Sequence, residues 1–155
     1  MLLIAECNRP PPIFAILIGI DEYLNVTKLK AAVADAKRVR DYLKSIHVPD
    51  NQIEYLTNKD AKRSKIISAF RRWQRCGRIE RDNNCILIYY AGHGGEIDAP
   101  ESWKAGGSRV QMILPYDYDM PSNNGVVHGI PDRVIGQLLE DLAREKGNNI
   151  VRAAS

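Results

Sequence analysis

The sequence predicts an α/β protein with three layers: a mostly parallel central sheet carrying helices on both faces. Two observations predict it. FAILIGI (14–20) and ILIYY (86–90) are unbroken apolar runs, the pattern of strands covered on both sides. Between and after them, apolar residues recur at three- and four-residue steps, the pattern of helices lying on a sheet. Strands alternating with helices favour parallel pairing through right-handed crossovers.

Pro10, Pro11 and Pro12 stop whatever precedes the first strand, so residues 1–12 read as an extension and 13–155 as one domain. After the strand, Asp21, Glu22 and Tyr23 open a loop. Leu29, Val33, Ala36, Val39, Leu43 and Ile46 then form one face of a helix that Pro49 and Asp50 end. QIEYLT (52–57) suits a second strand. Asn58 and Asp60 are expected to cap a helix with the stripe Ile66, Ala69, Phe70 and Trp73, ended by Gly77. The strand 85–90 is third. Residues 94–110 read as a Gly- and Ser-rich excursion, and ILPYDY (113–118) as a short strand or extended loop. Pro131 and Asp132 suit the first turn of a helix whose stripe is Val134, Ile135, Leu138, Leu139 and Leu142. Gly147 ends it, and Asn149 to Val151 starts another strand.

The chain has 155 residues, 45% apolar and 26% charged, with a net charge of +3, which points to no particular partner. Lys62, Arg63, Lys65, Arg71, Arg72, Arg75, Arg78 and Arg81 bunch together. Without interleaved aromatics for base stacking they read as a solvated helix face, and no nucleic-acid partner is expected. Cys7, Cys76 and Cys85 have neither metal-ligand spacing nor a disulfide framework, which fits a reducing, cytoplasmic setting. The start, MLLIAECNRPPP, makes a poor secretory signal, and the longest apolar run, 13–20, is too short to span a bilayer. No cofactor is expected.

The sharpest local signal is AGHG (91–94). An inner strand of a parallel sheet delivers active groups at its carboxyl end. Here it delivers His93 between Gly92 and Gly94, glycines that permit tight turns and close approach. Histidine moves protons near neutral pH. His47 and His128 have no such context and read as surface residues. Trp73 reads as core, and Trp103 falls in the excursion.

FAILIGIDEY, LKAAVADAKRVRDYL, QIEYLTN, ILIYYAGHG, ILPYDY and GIPDRVIGQLLEDLA, in that order, resemble the caspase-like domain of caspase and metacaspase cysteine peptidases, with fungal caspase-domain proteins the nearest likeness. The resemblance implies a cysteine-type endopeptidase acting on peptide or protein substrates. It gives His93 the general acid/base role, because an imidazole helps form a thiolate and returns a proton to the leaving amine. It gives Gly94 the place of the glycine whose N–H faces the oxyanion. Asp35 stands where metacaspase-like enzymes carry an acid that receives a basic residue, which implies cleavage after Arg or Lys. Leu29 occupies the place of the arginine by which caspases hold aspartate, which argues against aspartate specificity. Some metacaspases need calcium, but Asp117, Asp119 and Asp132 lack EF-hand spacing and read as turn and cap residues.

The resemblance also implies a nucleophilic cysteine on the strand that begins near Asn149. The sequence instead reads NNIVRAAS, with no cysteine after Cys85. The expectation is a domain truncated before its nucleophile, incomplete at its C-terminus and inactive by itself, with an unpaired sheet edge prone to self-association or to pairing with intact caspase-like chains. Two alternatives stay open: a pseudo-peptidase that binds and regulates, and a receiver- or flavodoxin-like domain using Asp21 and Glu22.

Overall fold

The computed structural model describes residues 11–99 and 109–155. Strand β1 (Ile13–Gly19) leads to α1 (Ala32–Ser45), β2 (Ile53–Thr57), α2 (Arg63–Arg75) and β3 (Cys85–Ala91). Then come β4 (Gly94–Asp98), β5 (Arg109–Ile113), β6 (Pro121–Ser122), β7 (Gly125–Val126), β8 (Ile130–Pro131), α3 (Asp132–Lys146) and β9 (Ile150–Ala154). The main sheet has the order β2-β1-β3-β9, with every neighbouring pair parallel. Cys7, Trp103 and the middle of the expected excursion lie outside the described residues.

Alternation along the two inner strands divides the core, because successive side chains point to opposite faces. Phe14, Ile16 and Ile18 of β1, with Ile86 and Ile88 of β3, pack under α2 and α3. Ala15 and Leu17, with Leu87 and Tyr89, meet Val39 and Leu43 of α1 on the other face. This is the expected three-layer arrangement. Trp73 sits inside it, edge-on to Phe14 at 5.6 Å, with its indole N–H directed at the Ala15 carbonyl. Gly19 is needed where α1 crosses the end of β1: a Cβ there would lie 2.8 Å from both the Ala32 carbonyl oxygen and the Ala36 Cβ. Among the described residues no helix is long and apolar enough to cross a membrane.

Three local expectations are corrected. Asn58 and Asp60 do not cap α2; they lie in a short 3-10 turn, Asn58–Asp60, ahead of it. The amide of Arg63, at the start of α2, instead donates to Asp117 Oδ1 at 2.9 Å, an acceptor 54 positions away. Helix starts need acceptors for their free N–H groups, and a distant carboxylate serves as well as a neighbouring one. The excursion is not wholly irregular, since β4 and β5 pair antiparallel at its two ends and β5 also pairs with β8. In ILPYDY only Ile113 belongs to a strand; the segment then turns, with the Tyr118 amide bonded to the Pro115 carbonyl at 3.0 Å.

Strand β9 forms one edge of the sheet. Its register pairs Ile88 with Arg152 and Tyr90 with Ala154, so Arg152 and Ala154 share the face covered by α2 and α3. A long cation and a methyl group fill that space poorly. An open cavity of about 810 Å³ remains there, walled by Ile18, Phe70, Ile88, Met112 and Ile130. Covering this apolar wall stabilises by roughly 25 cal/mol per Å² removed from water. Arg152→Leu is therefore expected to raise the unfolding free energy by about 1 kcal/mol. Urea unfolding of both proteins checks this; an equal or lower midpoint in Arg152→Leu contradicts it.

Candidate active site

Strands β1 and β3 end side by side, and the polar groups that leave their ladder must find partners. The Ile20 N–H still donates to the Ala91 carbonyl at 3.0 Å. Asp21 then organises the loop. Its carbonyl accepts the Leu29 N–H at 2.9 Å, and its two carboxylate oxygens accept the N–H groups of Ala32 and Val33 at 2.9 and 3.1 Å. Asp21 is thus the cap of α1, with each carboxylate oxygen accepting a backbone amide. The N–H groups of Asp21 and Glu22 both donate to Asn58 Oδ1, at 2.9 and 3.0 Å. Asn58 does this from the left-handed region, φ 43°, which asparagine tolerates. The loop held this way carries Thr27.

His93 meets that loop. Its Nε2 lies 2.7 Å from the Thr27 carbonyl oxygen. A carbonyl only accepts, so Nε2 carries the hydrogen, and in the neutral ring Nδ1 is the basic nitrogen. The Tyr23 ring lies 4.9 Å from the imidazole, tilted by 50°. The ring is neither sealed in the core nor isolated on the surface; His93 is half-buried.

The His93 backbone is held as firmly as its ring. Its N–H donates to Tyr23 Oη at 2.8 Å, and its carbonyl accepts from Tyr90 Oη at 2.7 Å and from the Leu114 N–H at 3.0 Å. The two phenol oxygens are 3.4 Å apart, and Tyr90 Oη also lies 3.0 Å from the Leu114 carbonyl. Burial pushes both phenols above the usual tyrosine range, so both keep their protons at neutral pH. Gly92 is the residue that lets the phenols close in. A Cβ there would lie 2.6 Å from Tyr23 Oη and 2.7 Å from Tyr90 Oη. Gly94 differs, since its Cβ would make ordinary contact, 3.7 Å from the Met112 carbonyl oxygen.

Gly94 stands opposite Ile113 in the β4–β5 ladder. The Leu114 N–H bonds the His93 carbonyl across that step, which makes Gly94–Ile113 a non-hydrogen-bonded pair. In a trans peptide the N–H points opposite to the preceding carbonyl. With the His93 carbonyl aimed at β5, the Gly94 N–H faces away from it.

The two described cysteines lie elsewhere. Cys85 starts β3, paired with Ile13, eight positions before His93. That is roughly 26 Å at about 3.3 Å per residue. Burial pushes its thiol up, away from the reactive thiolate. Cys76 follows the end of α2, where Lys146 donates to its carbonyl. Strand β9 does approach His93. The Ser155 N–H donates to the Tyr90 carbonyl at 3.0 Å, which puts Ser155 opposite Ala91, two ladder positions short of the imidazole.

Asp35 lies in the first turn of α1, its carboxylate 2.8 Å from Arg38 and its side chain 28% exposed. It does not cap the helix; Asp21 does. Asp117 accepts from Arg63, Asp119 sits in a turn at φ 61°, and Asp132 Oδ1 accepts the Arg133 N–H at 2.7 Å. Among the described residues no group of three His, Cys, Asp or Glu side chains is placed to hold a metal. His47 and His128 are exposed. In the basic cluster, Lys65 pairs with Asp60, Arg72 with Glu54, and Arg78 binds the Asn51 carbonyl and lies over Phe14.

The sequence reading missed Tyr23, Thr27, Asn58 and Tyr90. Tyr90 had a signal: it follows Ile86 and Ile88 on the inward face of β3, where a hydroxyl needs a partner. Thr27 had none, because it acts through a backbone carbonyl.

Two outcomes are expected. Gly92→Ala forces the phenols off the turn and lowers the thermal midpoint, whereas Gly94→Ala leaves it nearly unchanged; scanning calorimetry of both checks this. Both phenols titrate higher folded than unfolded, where the ordinary value is 10.0. Their contribution is therefore complete below that value and is lost as pH rises through it towards the folded values. Urea unfolding followed into alkaline pH should show this loss, and Tyr90→Phe should make it shallower.

Residues 13–143 match the caspase-domain peptidase family, peptidase family C14. Metacaspase-1 of Mycosarcoma maydis is 27% identical over 109 residues, 67% of this chain and 26% of that protein. The crystal structure of a Geobacter sulfurreducens protein shares the fold, with a TM-score of 0.66 at 18% identity over 93% of this chain and 49% of that one. The chain therefore spans about a quarter of the curated relative and about half of the solved structure. A family match that takes in both inner strands, the His93 turn and most of α3 places the chain in the caspase-domain family.

Proposed function

We propose that this chain carries the histidine half of a cysteine endopeptidase site and does not cleave peptides by itself. The observation that carries the reading is the imidazole of His93, fixed at the carboxyl end of β3 with Nε2 bound to the Thr27 carbonyl. That bond makes Nδ1 the proton acceptor and supplies the general acid/base. The Gly94 N–H, facing away from β5, is the donor for an oxyanion. Among the described residues no cysteine sulfur lies beside the imidazole. Cys85 and Cys76 lie at the other end of the sheet.

For specificity, Asp35 is the residue to receive Arg or Lys of a substrate, in exchange for Arg38, and Leu29 offers no cation for a substrate aspartate. A second reading, a non-catalytic module that pairs with intact caspase-like chains, is favoured by the open edge of β9. There Val151 is 50% exposed and the strand has no outer neighbour among the described residues.

The purified chain is expected to give no turnover of Arg- or Lys-containing peptide reporters above buffer. Turnover that disappears in His93→Ala overturns the claim of inactivity. Turnover indifferent to His93→Ala removes the histidine from the reaction altogether.

A further inference from the structure

The bonds around His93 close on themselves. The His93 N–H donates to Tyr23 Oη at 2.8 Å, Tyr23 Oη lies 3.4 Å from Tyr90 Oη, and the Tyr90 hydroxyl donates to the carbonyl of the same His93 at 2.7 Å. Both polar groups of one residue are thus bridged by two side chains from different strand ends: Tyr23 just after β1, Tyr90 inside β3. The imidazole Nε2 is bound separately, to the Thr27 carbonyl.

We propose that Tyr23 and Tyr90 are positioning residues: through this ring of hydrogen bonds they aim the His93 imidazole and the Gly94 N–H together. The proposal rests on the roles given above to His93 and Gly94. The geometry divides the work. Tyr23 holds the His93 N–H and also packs against the imidazole at 4.9 Å, so it fixes the side chain's departure point and its plane. Tyr90 holds the His93 carbonyl, one end of the peptide whose other end is the Gly94 N–H. Because that peptide is planar and trans, fixing the carbonyl direction fixes the N–H direction.

Gly92 supports the proposal independently. It is the site-turn glycine at which a Cβ would collide with both phenol oxygens, which ties its lack of a side chain to the ring. A base and an oxyanion donor set by one rigid peptide need no separate reorganisation during reaction, which is how prearranged donors act most strongly. A purely structural pair of tyrosines would add stability without coupling the two groups.

The test uses nuclear magnetic resonance of the full chain, labelled with nitrogen-15, as wild type, Tyr23→Phe and Tyr90→Phe. In the wild type the His93 ring nitrogens should report the Nε2–H tautomer, and the Gly94 amide should give one sharp signal. Tyr23→Phe is expected to mix the two His93 tautomers. Tyr90→Phe is expected to shift and broaden the Gly94 amide while the β3 amides from Cys85 to Tyr89 stay in place. Silence at His93 in the first variant, or at Gly94 in the second, overturns the shared ring.

Should either variant fail to fold, the wild type still decides. A slowly exchanging Tyr23 hydroxyl proton in contact with the His93 amide proton supports the ring, and its absence overturns it. The reporter assay for turnover tests the peptidase reading separately and does not move these resonances.

Discussion

The site depends on the parallel pairing of β1 with β3. Both strands are covered on two faces, so neither can leave a polar group unmatched inside the molecule, and the ladder matches them only as far as the Ile20–Ala91 bond. Past that bond the chain must turn outward in two places at once. The residues that satisfy the freed amides and carbonyls are Asp21, Asn58, Tyr23 and Tyr90, and they also define the geometry of the candidate site. Thr27 and His93 meet because the loop after β1 and the turn after β3 are both tied to this end of the same strand pair.

The same side of the molecule shows a contrast between a firmly held turn and an open cavity. The His93 turn is held through its ring, its N–H and its carbonyl. Next to it, β9 continues the sheet in register, yet it presents Arg152 and Ala154 to the face that elsewhere holds Ile88 and Ile18, and a cavity opens there. The imidazole is thus held firmly on one side while a cavity lies beside the neighbouring strand. A well-ordered turn beside an open strand edge leaves backbone groups free for pairing.

Helix starts show how the fold hides its connections. Neither α1 nor α2 has a side-chain cap at its own cap position. Asp21 serves α1 from eleven residues away, and Asp117 serves α2 from 54. Each bond fixes a loop as well as a helix, so the acids that a local reading assigns to turns or metal chemistry are spent on joining elements. Asp35 is the exception. It lies in a first helical turn with Arg38 as its side-chain partner among the described residues, which leaves its carboxylate the most exchangeable of the three.

The sequence by itself determined the three-layer architecture, because short unbroken apolar runs bounded by turn residues are the pattern of strands covered on both faces and the three- and four-residue stripes that of their helical covers. It also placed His93 at a strand end between two glycines, since that pattern is local. It could not place Thr27, Tyr23 or Asn58 at the site, nor Asp21 at the cap of α1, because those roles depend on which loops meet across a parallel sheet. It left β4 as irregular chain, because β4 lies on the surface with no apolar alternation to mark it, while β5 carried only the brief signal of Val110 and Met112. Only the tertiary structure decided which nitrogen of His93 carries its hydrogen, since the deciding acceptor is a backbone carbonyl 66 positions away.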